Sequence, residues 1–493
     1  MSMKMPRGAY GIIEKLENHG YEAYIVGGCV RDMLLGREPE DWDITTSARP
    51  QEVKSLFRRT VDTGIEHGTV TVLVGDESYE VTTYRMDGVY EDHRHPKEVI
   101  FTPSLEEDLK RRDFTINAMA YSERTGLVDI FDGQRDLEQG IIRCVGEPGQ
   151  RFGEDALRML RGIRFAGQLL FTIEENTLNA IRELAPTLVN ISAERIRVEL
   201  TKLLVSDGAD RIRLAYETGL SQYFLPEFDA MMTCEQNNPH HCYSVGEHTI
   251  RVVQEVNRLV RELGVNGTVS GKQRIALAFA ALLHDAAKPV CRTTDEKGID
   301  HFHGHDVRGE EMAGEILRRL KFDNDTCSLV KTLVRFHDAR YGNSITYVGK
   351  ENDGISPDEM DRMGETEDGT YIAYSSSGKR AMRRLMNKAG RKKMPLLFLL
   401  QRADILAQSS YKKEEKLTVL KAGERCYREI CEAEEAVTLG ELAITGGDLI
   451  AEKGYQSGPA IGEELKRLLE LVMDDPSKNT REQLLAEVEH VTS

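Results

Sequence analysis

The chain has 493 residues, of which 40% are hydrophobic and 30% charged, and these proportions exclude a disordered or fibrous protein. Its formal net charge of −17 indicates that any nucleic-acid site must concentrate basic residues locally. The longest apolar runs, 275–283 and 394–400, are too short to span a membrane, and the first residues lack the apolar core of a signal peptide. We therefore expect a cytoplasmic protein. Its eight cysteines show no CxxC spacing and are expected to be reduced thiols.

The predicted elements change in character near residue 150. Before it, AYIVGG (23–28) reads as a strand that enters a glycine turn, and 43–46, 69–74 and 79–84 show the alternation or β-branching of strands. After it, apolar residues recur at helical spacing. We predict an α+β fold class, in which a head of mixed sheet and helices is followed by all-α neck, body and tail regions.

The length allows two to four domains at about 100–200 residues each. Within the helical part, 340–378 is rich in Gly, Ser, Asp and Glu and is predicted to be an exposed or mobile insertion. The predicted boundaries are a head over 1–145, a helical neck over 146–239, a third domain over 240–410 and a helical tail over 411–493.

The segment GGCVRD follows a predicted strand and opens a predicted helix. Gly27 and Gly28 allow backbone N–H groups to approach a phosphate, and the helix N-terminus adds partial positive charge. Arg31, one turn inside the helix, could contact a triphosphate. Because such turns also occur as plain connectors, the motif gains weight only from the carboxylates that follow it.

Two carboxylates, Asp41 and Asp43, alternate with Trp42 in the next predicted strand and therefore share one face. Oxygen ligands at this spacing can hold a divalent metal. A two-metal site would activate an attacking hydroxyl and stabilise the leaving phosphate oxygens. Glu80, on a later predicted strand, is the candidate third carboxylate. Together with the upstream glycine turn, this pattern indicates nucleotidyl transfer, with these three acids as the catalytic residues.

A second charged segment, DLKRRDFTINAMAY, precedes an apolar helix start. Arg112 could bind a triphosphate, and Asp113 could orient that arginine or hold a ribose. The alternative interpretation is a helix N-terminal charge cluster without a ligand.

In EDALRMLRGIRF, Asp155, Arg158, Arg161 and Arg164 recur every three residues. Aspartate only accepts hydrogen bonds and arginine only donates them. Cytosine and adenine each present an amine donor beside a ring-nitrogen acceptor, whereas uracil and guanine present a carbonyl and a ring N–H. Asp155 with Arg158 could thus accept C and A and reject U and G, while Arg161 and Arg164 face phosphates or neighbouring structure. The alternative is a solvated ion pair.

These motifs, in this order, resemble the class II tRNA nucleotidyltransferase and bacterial poly(A) polymerase family over about residues 20–235. GGCVRD with DWD resembles the metal-binding motif of that family, RRDFTINAMA its sugar- and triphosphate-binding motif, and EDALRMLRGIRF its nucleotide-template motif. DIFDGQRDL resembles the hinge between head and neck, and SAERIRVELTKLL resembles the neck helix motif that braces the nucleotide-template motif. DGVYEDHRHP (87–96) resembles the family's flexible loop, with Arg94, His95 and Pro96 where Arg-Arg-Pro is common.

The resemblance implies template-independent addition of C, C and A to the 3′ end of tRNA, with CTP and ATP as donors and Mg²⁺ as cofactor. It also implies a polymerase-β-like head in which Asp41 and Asp43 bind the metals. Two alternatives stay open: a poly(A) polymerase or partial adder, and a phosphohydrolase whose head has become an RNA-binding module. The implied nucleotide contacts are Gly28, Arg31, Arg112, Asp155, Arg158, Arg161 and Arg164.

Histidines and carboxylates in 240–410 suit a divalent or transition metal. Adjacent His284 and Asp285 could reach one metal at a helix end, with the other ligands arriving from different helices. The pattern resembles the HD phosphohydrolase superfamily and implies phosphodiesterase or phosphatase activity towards cyclic or phosphorylated ends. The candidate ligands are His248, His284, Asp285 and Asp404, with His305 and His337 for a second metal.

Two further features carry weaker hypotheses. Cys234, His241 and Cys242 match no zinc-module spacing and are interpreted as a local turn. The basic run 379–393 could bind tRNA phosphates or form a solvated helix face.

Overall fold

The computed structural model describes residues 4–87, 99–240, 242–264, 269–339, 345–350, 364–365, 370–374 and 376–489. Backbone contacts divide the chain into two units, Met1–Met232 with Arg319–Phe322, and Thr233–Arg318 with Asp323–Ser493. Most of the predicted flexible loop at 87–96, His241, and most of the predicted insertion at 340–378 lie outside the described residues.

A mixed sheet lies at the centre of the first unit. The strands of this unit are β1 (Ala23–Val26), β2 (Asp43–Thr46), β3 (Thr60–Gly64), β4 (Thr69–Val74), β5 (Glu77–Thr83), β6 (Arg85–Asp87), β7 (Val99–Phe101), β8 (Met119–Ser122), β9 (Gly126–Asp129), β10 (Ile141–Ile142) and β11 (Thr172–Ile173). Seven of them form the central sheet in the order β3-β4-β5-β2-β1-β8-β9, where only β2 and β5 are parallel. β6 pairs with β7, and β10 with β11.

The helices of the first unit start on the sheet and become the dominant element after residue 148. They are α1 (Arg7–Asn18), α2 (Gly28–Leu34), α3 (Pro50–Leu56), α4 (Leu105–Lys110), α5 (Gly133–Gln139), α6 (Pro148–Glu154), α7 (Leu157–Leu169), α8 (Glu175–Leu184), α9 (Ala193–Leu204), α10 (Ile212–Glu217) and α11 (Pro226–Thr233). The predicted combination of a mixed-sheet head with a helical continuation is therefore confirmed.

The apolar pattern explains how β1 and α1 pack. All four residues of β1, the sequence AYIV, are buried, as expected for a strand inside a sheet that is covered on both faces. Helix α1 buries Ile12, Ile13 and Leu16 on one side and leaves its charged side exposed. The sheet thereby presents the end of β1 and the start of α2 in a fixed geometry.

A buried ion pair joins α7 to α9. Arg164 of α7 is 6% exposed and donates to Glu199 of α9, which is 4% exposed. Arg161 lies 3.7 Å from the other carboxylate oxygen of Glu199. Because an unpaired buried charge is costly, the buried Arg164 guanidinium needs this carboxylate to remain inside the protein.

Replacing Glu199 with Gln should destabilise the first unit by about 3 kcal/mol, because the buried guanidinium of Arg164 loses its counter-charge. Urea dependence of amide hydrogen exchange in α7 and α9 measures this free energy within the intact chain. Glu194→Gln on an exposed turn of α9 is the matched control and should change it little. Equal exchange behaviour of the two variants would contradict a stabilising role for the buried pair.

The second unit is mainly helical. Its helices are α12 (Val245–Gly264), α13 (Gly271–Leu283), α14 (Lys288–Cys291), α15 (His305–Arg319), α16 (Asn324–Phe336), α17 (Ser376–Ala389), α18 (Met394–Ala407), α19 (Lys413–Glu432), α20 (Gly446–Lys453), α21 (Pro459–Asp474) and α22 (Arg481–Ala486). Across the described part of the chain, none of the helices has the length and apolar character that a membrane crossing requires.

The second unit also contains short strands, which the sequence analysis did not predict. β12 (Thr293–Thr294) pairs with β13 (Asp300–His301) across a turn. Within the predicted insertion, β14 (Ile345–Lys350), β15 (Gly364–Glu365) and β16 (Thr370–Tyr374) form a small antiparallel sheet in the order β14-β16-β15. The β-branched and aromatic residues of ITYVGK and TYIAY favour these strands, although the surrounding Gly- and Asp-rich composition hides the signal.

The basic run 379–393 is largely neutralised within its own unit. Arg383 is buried, pairs with Glu435 and donates to the backbone carbonyl of Met473 at 2.8 Å. Other pairs of this run with acidic residues of the tail are Lys379–Glu429, Arg380–Asp474, Arg384–Glu470 and Arg391–Glu441. This pairing gives the run a structural role and weakens the hypothesis that it binds tRNA phosphates.

Candidate active sites

The turn between β1 and α2 brings backbone close to an arginine. Gly27 has φ = 81°, a left-handed value that glycine adopts without strain. A Cβ built on Gly27 would lie 2.9 Å from Nη1 of Arg112, so the guanidinium occupies the space that a side chain would take. The N–H of Gly27 donates to the carbonyl of Met119 at 3.1 Å, which anchors the turn to β8. Gly28 then begins α2.

The candidate catalytic carboxylates meet on neighbouring strands. Asp43 at the start of β2 is the register partner of Glu80 on β5, and Asp41 precedes β2 by two residues. All three residues are exposed. Desolvation of its carboxylate by nearby protein atoms raises the pKa of Asp43, as do the charges of Glu80 and Asp41, and the Arg112 guanidinium opposes the shift. Carboxylates are the type of ligand that suits a hard divalent cation such as Mg²⁺.

Asp108 positions the arginines beside these acids. Its buried carboxylate accepts from Arg111 at 2.8 Å and lies 3.4 Å from Arg112. It also accepts at 3.1 Å from the Thr45 hydroxyl on β2, two residues beyond Asp43. Burial would raise the pKa of Asp108, but the two guanidinium groups lower it. Asp108 thus ties the Arg112 side chain to the strand that carries Asp43.

Arg31 and Asp113 are linked through Asn117. Arg31 donates to its neighbour Asp32 at 2.9 Å and to Oδ1 of Asn117 at 2.7 Å. The amide of Asn117 donates in turn to Asp113 at 3.2 Å. Asp113 is buried, and the Arg161 guanidinium, 2.6 Å away, outweighs the effect of burial and lowers the pKa of Asp113 to about 2. Asp113 therefore positions side chains, and it joins the head to α7.

Phe165 lies beneath three of the arginines. The guanidinium carbons of Arg31, Arg161 and Arg164 lie 5.2, 5.5 and 3.7 Å from the centroid of its ring. Cation–π attraction of this kind favours arginine over the face of an aromatic ring. Arg161 and Arg164 thus contact the Phe165 ring and the acids Asp113 and Glu199. Contact with neighbouring structure is one of the two roles predicted for these arginines, the other being contact with phosphates.

The two candidate template residues lie at the junction of α6 and α7. Asp155 follows α6 and pairs with Arg195 of α9 at 2.6 Å. Arg158 on α7 pairs with Glu154 and donates to the backbone carbonyl of Arg111 at 3.0 Å. Each residue of the template therefore has a counter-ion contributed by the surrounding helices.

In the second unit, three helices bring four candidate metal ligands together. His284 and Asp285 follow the end of α13, His248 comes from α12 and Asp404 from α18. Nε2 of His248 lies 2.9 Å from Asp404 and 3.8 Å from Asp285, and Nε2 of His284 lies 3.1 Å from Asp285. The structure brings the four predicted ligands together. The neighbouring histidines lower the pKa of Asp404 and, with Lys288, that of Asp285, against the effect of burial.

A second group shares Asp285 with the first. His305 at the start of α15 and His337 after α16 place their Nε2 atoms 3.3 Å apart, and each lies 3.6 Å from Oδ1 of Asp285. Donor atoms of His248, His284 and Asp285, and of Asp285, His305 and His337, lie within 4.8 Å of one another in each group. Asp285 could therefore bridge two cations.

Backbone contacts orient the histidines towards these groups. Nδ1 of His284, His305 and His337 lies 2.7–2.8 Å from the carbonyl of the residue three positions earlier. When Nδ1 donates to a carbonyl, Nε2 keeps the lone pair that binds a metal. Nε2 of His284 is buried without a hydrogen bond to any residue that the structure describes. This arrangement and the mixed imidazole–carboxylate donor set fit a divalent or transition metal.

A cavity of about 960 Å³ opens beside this cluster. Asp285, His305, His337 and Asp404 line one part of it. Lys288, buried at 2.8 Å from Asp285, lines it too and also donates to Gln236 at 2.9 Å. The remaining walls include basic and apolar residues, among them His301, Phe302, His303, Arg335, Lys412, Lys416 and Leu420. The space is large enough for an organic phosphate ester at the candidate metal site.

Several contributing residues were not singled out from the sequence. Asp108 precedes Arg111 and Arg112 by three and four positions, so helical spacing could have indicated it. Glu199, Arg195 and Lys288 act through partners that local spacing alone does not reveal.

Four family models match consecutive parts of the chain. Residues 23–143 match the poly A polymerase head domain, and 170–232 match the RNA- and SrmB-binding site of polymerase A. Residues 245–408 match the HD domain, and 403–488 match domain 2 of tRNA nucleotidyltransferases.

Curated relatives match part of the chain. The CCA-adding enzyme of Geobacillus thermodenitrificans is 54% identical over 223 residues, which cover 45% of this chain and 55% of the relative. That of Enterococcus faecalis is 57% identical over 194 residues, or 39% and 48% of the two chains. In these alignments the chain spans about half the length of the curated relatives it matches.

Solved structures resemble the chain over nearly its whole length. A Bacillus stearothermophilus CCA-adding enzyme in complex with CTP has a TM-score of 0.65 at 29% identity, over 98% of both chains. A Thermotoga maritima CCA-adding enzyme complexed with tRNA_CCA has a TM-score of 0.57 at 19% identity, over 99% and 97%, and supports the fold alone. The chain therefore contains a poly A polymerase head domain and an HD domain, and it resembles CCA-adding enzymes in sequence and in fold.

Proposed function

We propose that the chain adds C, C and A to the 3′ end of tRNA from CTP and ATP, without a nucleic-acid template. The observation that carries this proposal is the grouping of Asp43 and Glu80 with Arg112 beside the Gly27 turn. Relatives at 54–57% identity are CCA-adding enzymes, which supports the same assignment. This activity on tRNA assigns the protein to the cytoplasm.

Different residues of the head have different roles in the proposed reaction. The backbone at the start of α2, from Gly28, and the Arg112 guanidinium would bind the triphosphate, with N–H donors and positive charge facing its oxygens. Mg²⁺ held by Asp41 and Asp43, with Glu80 nearby, would supply Lewis-acid charge for the attacking 3′-hydroxyl and the leaving pyrophosphate. Asp113 and Asn117 would keep Arg31 and the ribose region in place, since both are fixed by hydrogen bonds.

Base selection rests on the junction of α6 and α7. Asp155 would accept from the amine of cytosine or adenine, and Arg158 would donate to the ring nitrogen beside it. Uracil and guanine present the reverse pattern and would leave these charged groups without partners, which is costly in a desolvated site.

Extension of tRNA lacking its 3′ CCA tests the nucleotidyl transfer. We expect wild-type protein with Mg²⁺, CTP and ATP to add two C residues and one A and then stop, measured at single-nucleotide resolution. Asp43→Asn should lower the rate by about a thousandfold, which corresponds to about 4 kcal/mol of transition-state stabilisation. Asp76→Asn, an exposed acid at the turn between β4 and β5, is the matched control and should leave the rate unchanged.

Other product patterns would change the assignment. A long A tract would indicate a poly(A) polymerase, and arrest after C or after A alone would indicate a partial adder. Absence of any extension by wild-type protein would refute nucleotidyl transfer and favour an HD phosphohydrolase with an RNA-binding head.

We also propose that the HD domain is a metal-dependent phosphohydrolase that acts on cyclic or phosphorylated RNA ends. The convergence of His248, His284, Asp285 and Asp404 beside a cavity supports this activity. A cation there would polarise the phosphate ester, and Lys288 lines the same cavity as a second source of positive charge. The sharing of Asp285 by two groups of donors supports two cations.

Metal content and activity together test the HD proposal. His284→Ala combined with Asp285→Asn should abolish hydrolysis of 2′,3′-cyclic AMP while tRNA extension persists, because the nucleotide-site residues lie in the first unit. Titration of metal-free protein with Mn²⁺ should show one cation fewer for His337→Ala than for wild type. His19→Ala, an exposed histidine of the first unit, should bind as many cations as wild type. Equal stoichiometry in His337→Ala would contradict the second cation.

A further inference from the structure

The hairpin of β12 and β13 contributes one wall of the cavity beside the candidate metal cluster. Consecutive residues at and after the end of β13 line this wall, namely His301, Phe302, His303 and Gly304. His305, which belongs to the second group of metal-type donors, follows directly. Because two residues of extended chain span about 7 Å at most, the wall ends close to the point where a phosphate would bind.

Buried Asp300 on β13 fixes the position of this hairpin. Its carboxylate accepts from the backbone N–H of Asn237 at 2.8 Å and from the Thr294 hydroxyl at 2.7 Å. It also accepts from Nε of Arg292 at 3.0 Å. The residues that follow Asp300 therefore hold a defined place in the cavity wall before any ligand binds.

The three aromatic side chains of the wall have different neighbours. The ammonium of Lys288 lies 5.3 Å from the centroid of the Phe302 ring, so Phe302 contacts a group that faces the phosphate region. Nε2 of His301 lies 3.1 Å from the carboxylate of Asp295, which orients the His301 ring. The ring of His303 is parallel to that of His301, with an interplanar angle of 5° and centroids 5.6 Å apart. Since His303 is exposed, it can extend this stack to a ligand.

A planar heterocycle is the ligand that this wall suits. Aromatic side chains bind nucleobases by stacking. Apolar residues of the cavity, among them Ile299, Ile405, Val419 and Leu420, offer nothing to a phosphate group. A phosphate alone would also leave most of the roughly 960 Å³ unfilled. A nucleotide uses both parts of the cavity, because its phosphate and its base are separated by one ribose.

We propose that His303, stacked on His301, forms a nucleobase-binding subsite of the HD cavity, so that this site takes nucleotides in preference to phosphate esters that lack a base. The inference rests on the proposed phosphohydrolase activity and names the residues that select its substrate. Stacking tolerates different bases, because every base has a π-face. The subsite therefore recognises that a base is present and does not distinguish one base from another.

Two cyclic phosphodiesters, hydrolysed by the full chain with Mn²⁺, test the subsite. 2′,3′-cyclic AMP and glycerol 1,2-cyclic phosphate share the five-membered ring ester, and only the first has a base. In both, the oxygen of water bonds to phosphorus, one ring P–O bond breaks and the leaving oxygen takes a proton. In His303→Ala, kcat/KM for 2′,3′-cyclic AMP should fall about tenfold through a higher KM, as expected for the loss of one base–aromatic stack. The value for glycerol 1,2-cyclic phosphate should not change.

Two further variants separate stacking from other effects. His303→Phe keeps an aromatic ring and should retain most of the preference for 2′,3′-cyclic AMP, whereas His303→Gln should lose it. Glu296→Ala, exposed in the turn of the same hairpin, is the matched control and should leave both substrates unaffected. If His303→Ala does not fold, the comparison of His303→Phe with His303→Gln decides, and an equal preference in these two variants would overturn the proposal.

Binding without catalysis gives a second measurement. Calorimetry with metal-free protein and 3′-UMP is suitable, because the candidate template of the head should reject uracil. The Kd for 3′-UMP should rise about fivefold in His303→Ala. An unchanged Kd, equal kcat/KM of wild type for the two cyclic esters, or an equal loss with both esters in His303→Ala would contradict the subsite. If wild type hydrolyses neither ester, the phosphohydrolase proposal fails, and the Kd of 3′-UMP alone decides whether His303 binds a base.

Discussion

The chain of charges from Asp113 through Arg161 and Glu199 to Arg164 is the constraint on which the first unit depends, and all of these groups except the partly exposed Arg161 are buried. Charged groups remain inside a protein only when each is paired, because transfer from water costs several kcal/mol for an isolated ion. The pairs join the segment after α4 to α7 and α9, so the candidate nucleotide-site residues on these segments hold a fixed geometry. Folding and the candidate chemistry of this unit therefore use the same side chains.

In the second unit, Asp285 is the charged group around which the candidate site is arranged. It lies among His284, His305, His337 and Lys288, and its two oxygens face different histidine groups. A carboxylate surrounded by several imidazoles can act as a bridging ligand between two cations. Asp285 follows α13, His337 follows α16 and His305 begins α15. Residues at helix ends can direct their side chains to a common point, which allows this arrangement.

Sequence patterns predict the candidate site residues that lie within one short motif. They do not predict ion pairs between side chains that are distant in the sequence. Gly27, Asp43 and the His284–Asp285 pair were found because spacing alone restricts their geometry. Arg195 and Glu199 were missed because their partners lie 40 and 35 positions away. For the same reason, the sequence leaves open whether the basic run at 379–393 binds tRNA or forms a solvated helix face, because the acidic residues that pair with it are distant in the chain.

Arginines that are already paired suit a protein with an overall negative charge. Arg31, Arg158 and Arg161 each bind a carboxylate, so the local field at the nucleotide site comes from oriented donors more than from excess positive charge. Oriented donors cost little reorganisation when a polyanionic substrate arrives, and they discriminate by hydrogen-bond geometry. An unpaired basic surface would instead bind any polyanion through counterion release. In the proposed function, selection among four nucleotides with similar charge would therefore rest on hydrogen-bond geometry, which the paired arrangement fixes.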